Sequence, residues 1–252
     1  MSAAIASYHL SVGSAVLVAA CALLIGLNKT GLSGISLISI PIFAAVFGGR
    51  GSTGVVLLMF IVGDIFAVIY YNQHAQWRYI VRLLPWTVAG IVLGVLIGQS
   101  VSDLQFRRLM AIIIIAGLAI MVWQEVRGKS VQVPETWWIA GLLGLASGFS
   151  SMVGNAAAPI MALYLLSMRL PKNSFIGTSA WFFFIVNLIK LPFHIFIWHT
   201  ITLDTVFLDL AAAPVIIAGA IIGVFVVRLI PEKPYRIVII TATAAAAIRL
   251  VF

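Results

Sequence analysis

Charged residues are scarce in this sequence. Only seven acidic and fifteen basic side chains occur among 252 residues, and together they make up 9% of the chain. Soluble domains carry about 25% charged residues, because their surface must be hydrated. The mean hydropathy of +1.17 points the same way. Most of the surface therefore faces hydrocarbon, and the predicted fold is an all-α polytopic membrane protein.

Motifs for catalysis and for metal or nucleotide binding are absent as well. The sequence contains no H-E-x-x-H, G-x-S-x-G or G-x-x-x-x-G-K-[ST] motif and no cluster of cysteines and histidines. Cys21 is the single cysteine, so no intramolecular disulfide can form. We therefore expect no enzyme activity and no cofactor, and a primary pump would need a nucleotide module that this chain lacks.

Basic residues exceed acidic ones, with a formal net charge of +8 and a pI near 10.1. In a soluble chain this balance would suggest nucleic acid. In a membrane protein, bases in short loops instead set the topology and face anionic lipid headgroups. We expect membrane lipids as partners and no nucleic acid.

Ten apolar segments follow one another along the chain. Several reach the roughly 20 residues with which a helix crosses about 30 Å of hydrocarbon. The segments are residues 9–27, 32–47, 52–71, 83–101, 105–123, 136–150, 155–168, 173–197, 205–228 and 234–251. The second and seventh are short, contain a proline and follow a polar, glycine-rich stretch. We predict broken or re-entrant helices near residues 28–34 and 147–155.

The two halves of the sequence carry a matching pattern. The matching residues are Pro85 and Pro214, Gly90 and Gly219, Gly94 and Gly223, Val95 and Val224, Phe106 and Tyr235, and Arg107 and Arg236, each pair 129 residues apart. A constant offset through six positions argues against chance. The sequence therefore predicts one membrane domain made of two repeats, residues 1–127 and 135–252, joined by a linker at 128–134.

An odd number of apolar segments, five, separates equivalent positions, so the second repeat is predicted to be inverted. Inverted repeats are typical of secondary transporters, whose substrate site lies between the repeats near the midplane. If each short segment forms a re-entrant hairpin with the segment before it, this parity is unchanged.

Threading the chain through ten passes distributes its bases unequally between two faces. One face carries Arg78, Arg82, Arg127, Lys129, Arg169, Lys172, Arg228, Lys233 and Arg236, whereas the other carries Arg50, Arg107, Arg108 and Arg249. The positive-inside bias places the first face in the cytoplasm. Both termini are then predicted to lie outside the cytoplasm, in a protein of the cell inner (plasma) membrane.

Three ionisable residues remain at membrane depth: Lys29, Lys190 and Asp64. Such a group costs at least about 2.5–3.5 kcal/mol at the bilayer centre, so it normally faces a cavity or a partner. Lys29 is either a snorkelling lysine at a helix end or part of an anion site beside the free N–H groups of a helix start. Asp64 either neutralises a lysine or titrates during transport.

Two polar groups of residues accompany these charges. The second break carries Ser147, Ser150, Ser151 and Asn155, which either donate hydrogen bonds to an oxyanion or permit close helix packing. Segment 173–197 carries Asn187, Lys190 and His194 at helical spacing on one face. Lys190 is expected to face inward, whereas His194 either continues this stripe or is an interfacial side chain.

Three stretches of the sequence resemble the TauE/SafE family. They are Leu24 to Gly31, Ser150 to Pro159, and the F-x-G-T-S-A-x-F-F-x-x-x-N-x-x-K-x-P run from Phe175 to Pro192. The resemblance extends over about residues 10–250. It implies a small, ATP-independent permease that exports sulfur-containing anions such as sulfite, sulfoacetate and related organosulfonates, driven by an ion gradient, with protons as a candidate coupling ion.

The residues and the resemblance together predict a midplane anion site that works by alternating access. The predicted substrate-binding residues are Asn28, Lys29, Thr30, Ser150, Ser151, Asn155, Thr178, Asn187 and Lys190, and the predicted coupling or counter-charge residues are Asp64 and His194. The alternatives are a passive anion channel with the same residues and a membrane assembly factor without a transported substrate. The sequence leaves the oligomeric state open.

Overall fold

The computed structural model describes residues 11–30, 35–127, 136–168 and 170–229. Within these ranges all regular structure is helical, and six helices are long and apolar enough to cross a membrane. This confirms the predicted all-α polytopic membrane protein. The predicted segment 234–251 and the predicted linker 128–134 lie outside the described residues.

The described part of the chain forms nine α-helices. They are α1 (Val12–Lys29), α2 (Ser39–Phe47), α3 (Gly49–Tyr71), α4 (Trp77–Ser100), α5 (Asp103–Arg127), α6 (Trp137–Gly154), α7 (Ala158–Ser167), α8 (Lys172–Pro192) and α9 (Leu203–Leu229). A 3₁₀ turn precedes α2, and a π-helical turn, Phe193–Ile197, continues α8 past its proline. The interruption after α6 lies at residues 155–157, at the end of the predicted range.

Helices α1 and α2 lie side by side. Phe43 of α2 belongs to the same apolar cluster as Val18 and Cys21 of α1 and Val55 of α3. The chain then turns into α3 through Gly48, whose φ of 83° lies in the left-handed region that glycine adopts without steric cost. The short second segment therefore packs back along the helix before it.

The start of α3 is capped from a distant helix. The carboxylate of Asp103 accepts hydrogen bonds from the backbone N–H of Gly49 at 3.3 Å and of Arg50 at 3.1 Å. It also accepts one from Nε of Arg107 at 2.9 Å. A carboxylate at a helix N-terminus satisfies free N–H groups and opposes the helix dipole. Asp103 thus joins the beginnings of α3 and α5.

Glycines bring α1 and α9 into backbone contact. A Cβ at Gly26 would overlap the carbonyl oxygen of Ile216, and a Cβ at Gly219 would overlap the carbonyl oxygen of Leu23. Only a residue without a side chain lets two helices approach this closely. Farther along both helices Gly223 lies against Thr30, so α1 and α9 run in the same direction.

Helices α4 and α6 repeat this arrangement. A Cβ at Gly148 would overlap the carbonyl oxygen of Thr87, and a Cβ at Gly90 would overlap that of Leu145. The α6 residues lie 122 positions after their α1 counterparts, and the α4 residues lie 129 positions before their α9 counterparts. The two helix pairs therefore make matching contacts at constant offsets, and the division into two repeats stays a prediction.

The two helix pairs run in opposite directions. Gly98, near the end of α4, lies against the ring of Trp198, which shortly precedes α9. Helix α9 therefore begins at the end of the bundle where α4 finishes. Because α1 runs with α9 and α6 runs with α4, α1 and α6 end toward opposite ends of the bundle. An inverted repeat would produce this relation, and the inversion stays a prediction.

Apolar side chains form two main cores. One joins α1, α2, α3 and α9 and includes Ile25, Val56 and Ile216. The other joins α4 to α8 with the inner face of α2 and includes Phe106 and Phe182. The two cores adjoin where α3 packs against α8, and buried Asp64 and Asn187 form a hydrogen bond across this junction.

We expect Gly26→Ala and Gly148→Ala each to lower the free energy of unfolding by about 1–3 kcal/mol, the usual cost of overpacking. The thermal midpoint of the purified protein should fall by about 2–4 °C for each kcal/mol. Gly51→Ala is the control, because no atom lies within 4 Å of a Cβ there. An equal midpoint in all three variants would contradict the close approach.

The Asp103 cap should make stability depend on pH. Partial burial acts to raise the pKa of Asp103, but the N–H groups of Arg50 and Gly49 and the Arg107 guanidinium hold that pKa below its ordinary value. A lowered pKa in the folded state stabilises the protein above about pH 4 and loses this effect as the pH falls further. Thermal midpoints measured from pH 7 to pH 3 should fall less in Asp103→Asn than in the unmodified protein.

Candidate functional site

A buried ion pair joins the end of α1 to the middle of α3. Nζ of Lys29 lies 2.7 Å from Oδ1 of Asp64, and the side chains are 5% and 0% exposed. The ammonium group also lies 4.2 Å from the ring centre of Phe60 and 5.3 Å from that of Phe183. Such cation–π contacts add to the pairing of a desolvated cation. In this arrangement Asp64 is the counter-charge to Lys29, which is one of the two roles considered for it.

Asn187 extends this pair across the junction to α8. Its Nδ2 donates to the second carboxylate oxygen of Asp64 at 2.7 Å, and its Oδ1 accepts from Nζ of Lys190 at 3.3 Å. One amide therefore satisfies both a carboxylate and an ammonium group, as its donor and acceptor ends allow. The four residues form a continuous chain from Lys29 through Asp64 and Asn187 to Lys190, named here the polar chain.

Lys190 is fully buried and surrounded by neutral oxygens. Besides Asn187, it donates to Oδ1 of Asn155 at 2.6 Å and to Oγ of Ser151 at 3.2 Å. Within the described ranges no carboxylate lies within ion-pair distance of Lys190. Buried charges normally have a counter-ion. The polar chain thus contains two lysines and one carboxylate.

The interruption after α6 positions Asn155 for this contact. Asn155 has a φ of 51°, in the left-handed region that asparagine tolerates, and ends the helix. Its Nδ2 donates to the carbonyl oxygen of Thr53 at 3.2 Å. The amide oxygen is therefore turned toward Lys190. A continuous helix would not hold the side chain between α3 and α8 in this way.

A cavity of about 30 Å³ adjoins the Lys29 end of the polar chain. Its polar wall is formed by Asn28, Lys29 and Asp64, and Ser179 adds a hydroxyl from α8. The first turn of α7, which begins at Ala158, forms another wall. Helix N-termini attract negative charge. A cation and a helix start therefore face the same small space.

At its other end, beyond Lys190, the stripe on α8 continues to His194. This side chain is fully buried, and its Nδ1 lies 2.8 Å from the hydroxyl oxygen of Thr200. The π-helical turn Phe193–Ile197 carries it. Such turns are rare and often occur at functional sites. Of the two positions considered for His194, burial places it inside the protein, in line with Lys190.

Not every predicted site residue joins the polar chain. Thr178 donates to the carbonyl of Ser174 at 2.6 Å and accepts from the N–H of Gln76 at 2.9 Å, so it ties α8 to the turn before α4. The hydroxyls of Thr30 and Ser150 donate back to their own helices. Ser151, Asn155, Asn187 and Lys190 come together, whereas Asn28 and Lys29 line the cavity.

Three further features were missed by the sequence reasoning. Phe60 and Phe183 flank the ammonium group of Lys29, but aromatic residues are too common in apolar helices to mark such a role. Trp198 lies one turn beyond His194, and its helical spacing could have revealed it. Asp209 is 3% exposed, and neither carboxylate oxygen has a hydrogen-bond partner among the described residues. The sequence did offer a signal for Asp209, because it is an acidic residue inside an otherwise apolar segment.

The helix interruption at Asn155 lies beside buried charged residues, between two matching helix pairs. This arrangement is typical of one class of protein, the polytopic membrane transporters. The chain belongs to the sulfite exporter TauE/SafE family, whose pattern matches residues 18–250. Membership makes it a membrane permease of the type that handles sulfur-containing anions. A comparison with curated proteins finds no match.

The Lys29–Asp64 pair should show strong energetic coupling. Asp64→Asn leaves the lysine charged and unpaired, which costs about 3–5 kcal/mol in a buried pair. Adding Lys29→Met removes that charge, so the double variant should be more stable than Asp64→Asn alone. Thermal unfolding of Asp64→Asn, Lys29→Met, the double variant and the unmodified protein gives the coupling energy. Additive effects would contradict a direct ion pair.

Proposed function

We propose that the protein is a secondary transporter that exports small sulfur-containing anions by alternating access. The site comprises the polar chain, the cavity beside Lys29, and the oxygen and amide groups contributed by the interruption after α6. Substrates of this class are sulfite, sulfoacetate and related organosulfonates. The family membership supports the chemical class, and the residues of the site support a small anion within it.

The excess of positive charge in the polar chain is the observation that carries this proposal. Lys29 is matched by Asp64, but Lys190 is surrounded only by neutral oxygens in the described part of the chain. Burying an uncompensated ammonium group is costly. An anion in the cavity beside Lys29 would supply a second negative charge to the polar chain, which holds two lysines and one carboxylate.

The size of the cavity favours the smallest substrates of the class. A buried water needs about 10–15 Å³, so a space of about 30 Å³ holds about two waters. A pyramidal oxyanion such as sulfite is nearer to this size than a sulfonate with a carbon chain. A larger anion would require α7 and α8 to move apart around Ala158 and Ser179.

Asp64 and His194 are the proposed coupling residues. Asp64 bonds both to Lys29 and to Asn187, so protonating it would release the lysine and break the polar chain in one step. His194 lies one turn from Lys190 on the same helix face, where a proton would oppose the lysine's charge. Because a proton on either group adds positive charge to the site, proton uptake would favour anion binding and proton loss would favour anion release.

Removing the charge of Lys190 should strongly reduce anion transport at low substrate concentration without unfolding the protein. The loss of charge-assisted hydrogen bonds, about 1.5–3 kcal/mol, weakens anion binding roughly 10–100-fold. The measurement is uptake of sulfite and sulfoacetate by proteoliposomes that contain Lys190→Met. Thermal unfolding of the same preparation verifies folding.

Arg108→Ala is the matched control, because it removes one positive charge from an exposed position. It should transport at the unmodified rate. Counterflow and a response to an imposed proton gradient distinguish a transporter from a passive anion channel. Full transport by Lys190→Met would remove Lys190 from the site, and no transport or binding of any anion by the unmodified protein would refute the proposed function.

A further inference from the structure

The polar stripe on α8 has one open end and one closed end. Toward the start of α8, Ile176 and Ser179 line the cavity beside Lys29. In the other direction the stripe runs through Lys190 and His194 to Trp198, which is 6% exposed. An anion at the polar chain would therefore meet Trp198 on its way to the end of the bundle where α3 begins.

Trp198 is held in place by contacts from four separate elements. Its ring packs edge-on against Phe106 of α5, with centroids 5.5 Å apart, and against His194 at 5.1 Å. The guanidinium of Arg50 from α3 lies 6.0 Å from the ring centre. Nε1 donates to the carbonyl oxygen of Val95 on α4 at 3.4 Å. One side chain thus connects α3, α4 and α5.

The backbone around Trp198 is fitted to this position. The N–H of Trp198 donates to the carbonyl of Phe193 at 2.8 Å, which closes the π-helical turn. His199 follows with a φ of 50°, a conformation that residues other than glycine rarely adopt. Gly98 faces the ring, and a Cβ there would overlap it. Unusual backbone conformations cluster where a switch is needed.

We propose that Trp198 is the gate that closes the transport pathway at the end of the bundle where α3 begins. The proposal rests on the proposed function, in that it assigns one side of the alternating-access cycle. Within the described residues, the cavity beside Lys29 adjoins the end of the polar chain that lies away from Trp198. Outward release of the anion requires the ring to leave Phe106 and Val95.

The test uses the accessibility of a buried thiol in the purified full-length protein. Cys21 is replaced by alanine, and Val95→Cys places the sole thiol behind Trp198. Leu83→Cys is the matched control, since Leu83 lies in the same core of α4, is 1% exposed and sits at the other end of that helix. A charged, water-soluble maleimide then reports the rate at which each thiol becomes exposed.

Trp198→Ala should raise the labelling rate of Val95→Cys about tenfold, because ring packing and a hydrogen bond no longer oppose local opening. Labelling of Leu83→Cys should not change. Trp198→Leu keeps an apolar side chain in the core, so it replaces Trp198→Ala in this test if the alanine variant does not fold. It should produce a smaller increase in the same direction. An unchanged rate for Val95→Cys in the folded variants would overturn the gate.

Transport measurements separate the gate from the proposed function. In proteoliposomes, Trp198→Ala should increase passive sulfite flux and abolish accumulation, whereas Trp77→Ala should do neither, because Trp77 packs against Trp181 at the opposite end. If the unmodified protein transports normally but Trp198→Ala leaves the labelling rate of Val95→Cys unchanged, the gate is refuted and the proposed function is not. No transport by the unmodified protein would refute the proposed function, while the labelling rates would still decide the gate.

Discussion

The structure depends on how charges are satisfied where water is excluded. Lys29, Asp64 and Lys190 each carry a cost at membrane depth that no single helix can offset. Asn187 makes the arrangement work, because its amide bonds to the carboxylate on one side and to the second ammonium group on the other. Four side chains from α1, α3 and α8 are thereby fixed relative to one another. The positions of these helices follow from that requirement as much as from apolar packing.

Around this centre, the helices divide by the way in which they touch. Glycine contacts lock α1 to α9 and α4 to α6, and the atoms nearest to Gly26, Gly219, Gly90 and Gly148 are all backbone atoms, which cannot move aside by changing rotamer. Between the two cores, by contrast, α3 and α8 meet through polar groups and long side chains. Hydrogen bonds and ion pairs can exchange partners at low cost, whereas backbone contacts cannot slide without steric overlap. The proposed pathway thus runs along the adaptable interface of α3 and α8, between two helix pairs held by rigid backbone contacts.

Much of this arrangement could be predicted from the sequence. Scarce charge and long apolar segments specify a helical membrane protein, and the spacing of Asn187, Lys190 and His194 places them on one face, as observed. Two aspects could not be predicted. Ser147 to Gly154 resembles a break but stays helical, and Gly148 within it packs against the backbone of α4 at Thr87. Thr178 resembles a ligand but secures a turn, and only the position of Gln76 in space reveals that role.

The pairing of α1 with α9 has a consequence for how the chain is assembled. Leu23 lies against Gly219, so the first described helix acquires its partner only after almost all of the described chain has been synthesised. Until then α1 can pack against α2 and α3, where Asp64 pairs with Lys29, but its glycine-bearing face that meets α9 stays uncovered. Contacts between distant segments slow folding. Biogenesis is therefore most vulnerable in this interval, and truncated chains that lack α9 would leave this uncovered face for quality-control proteases to recognise.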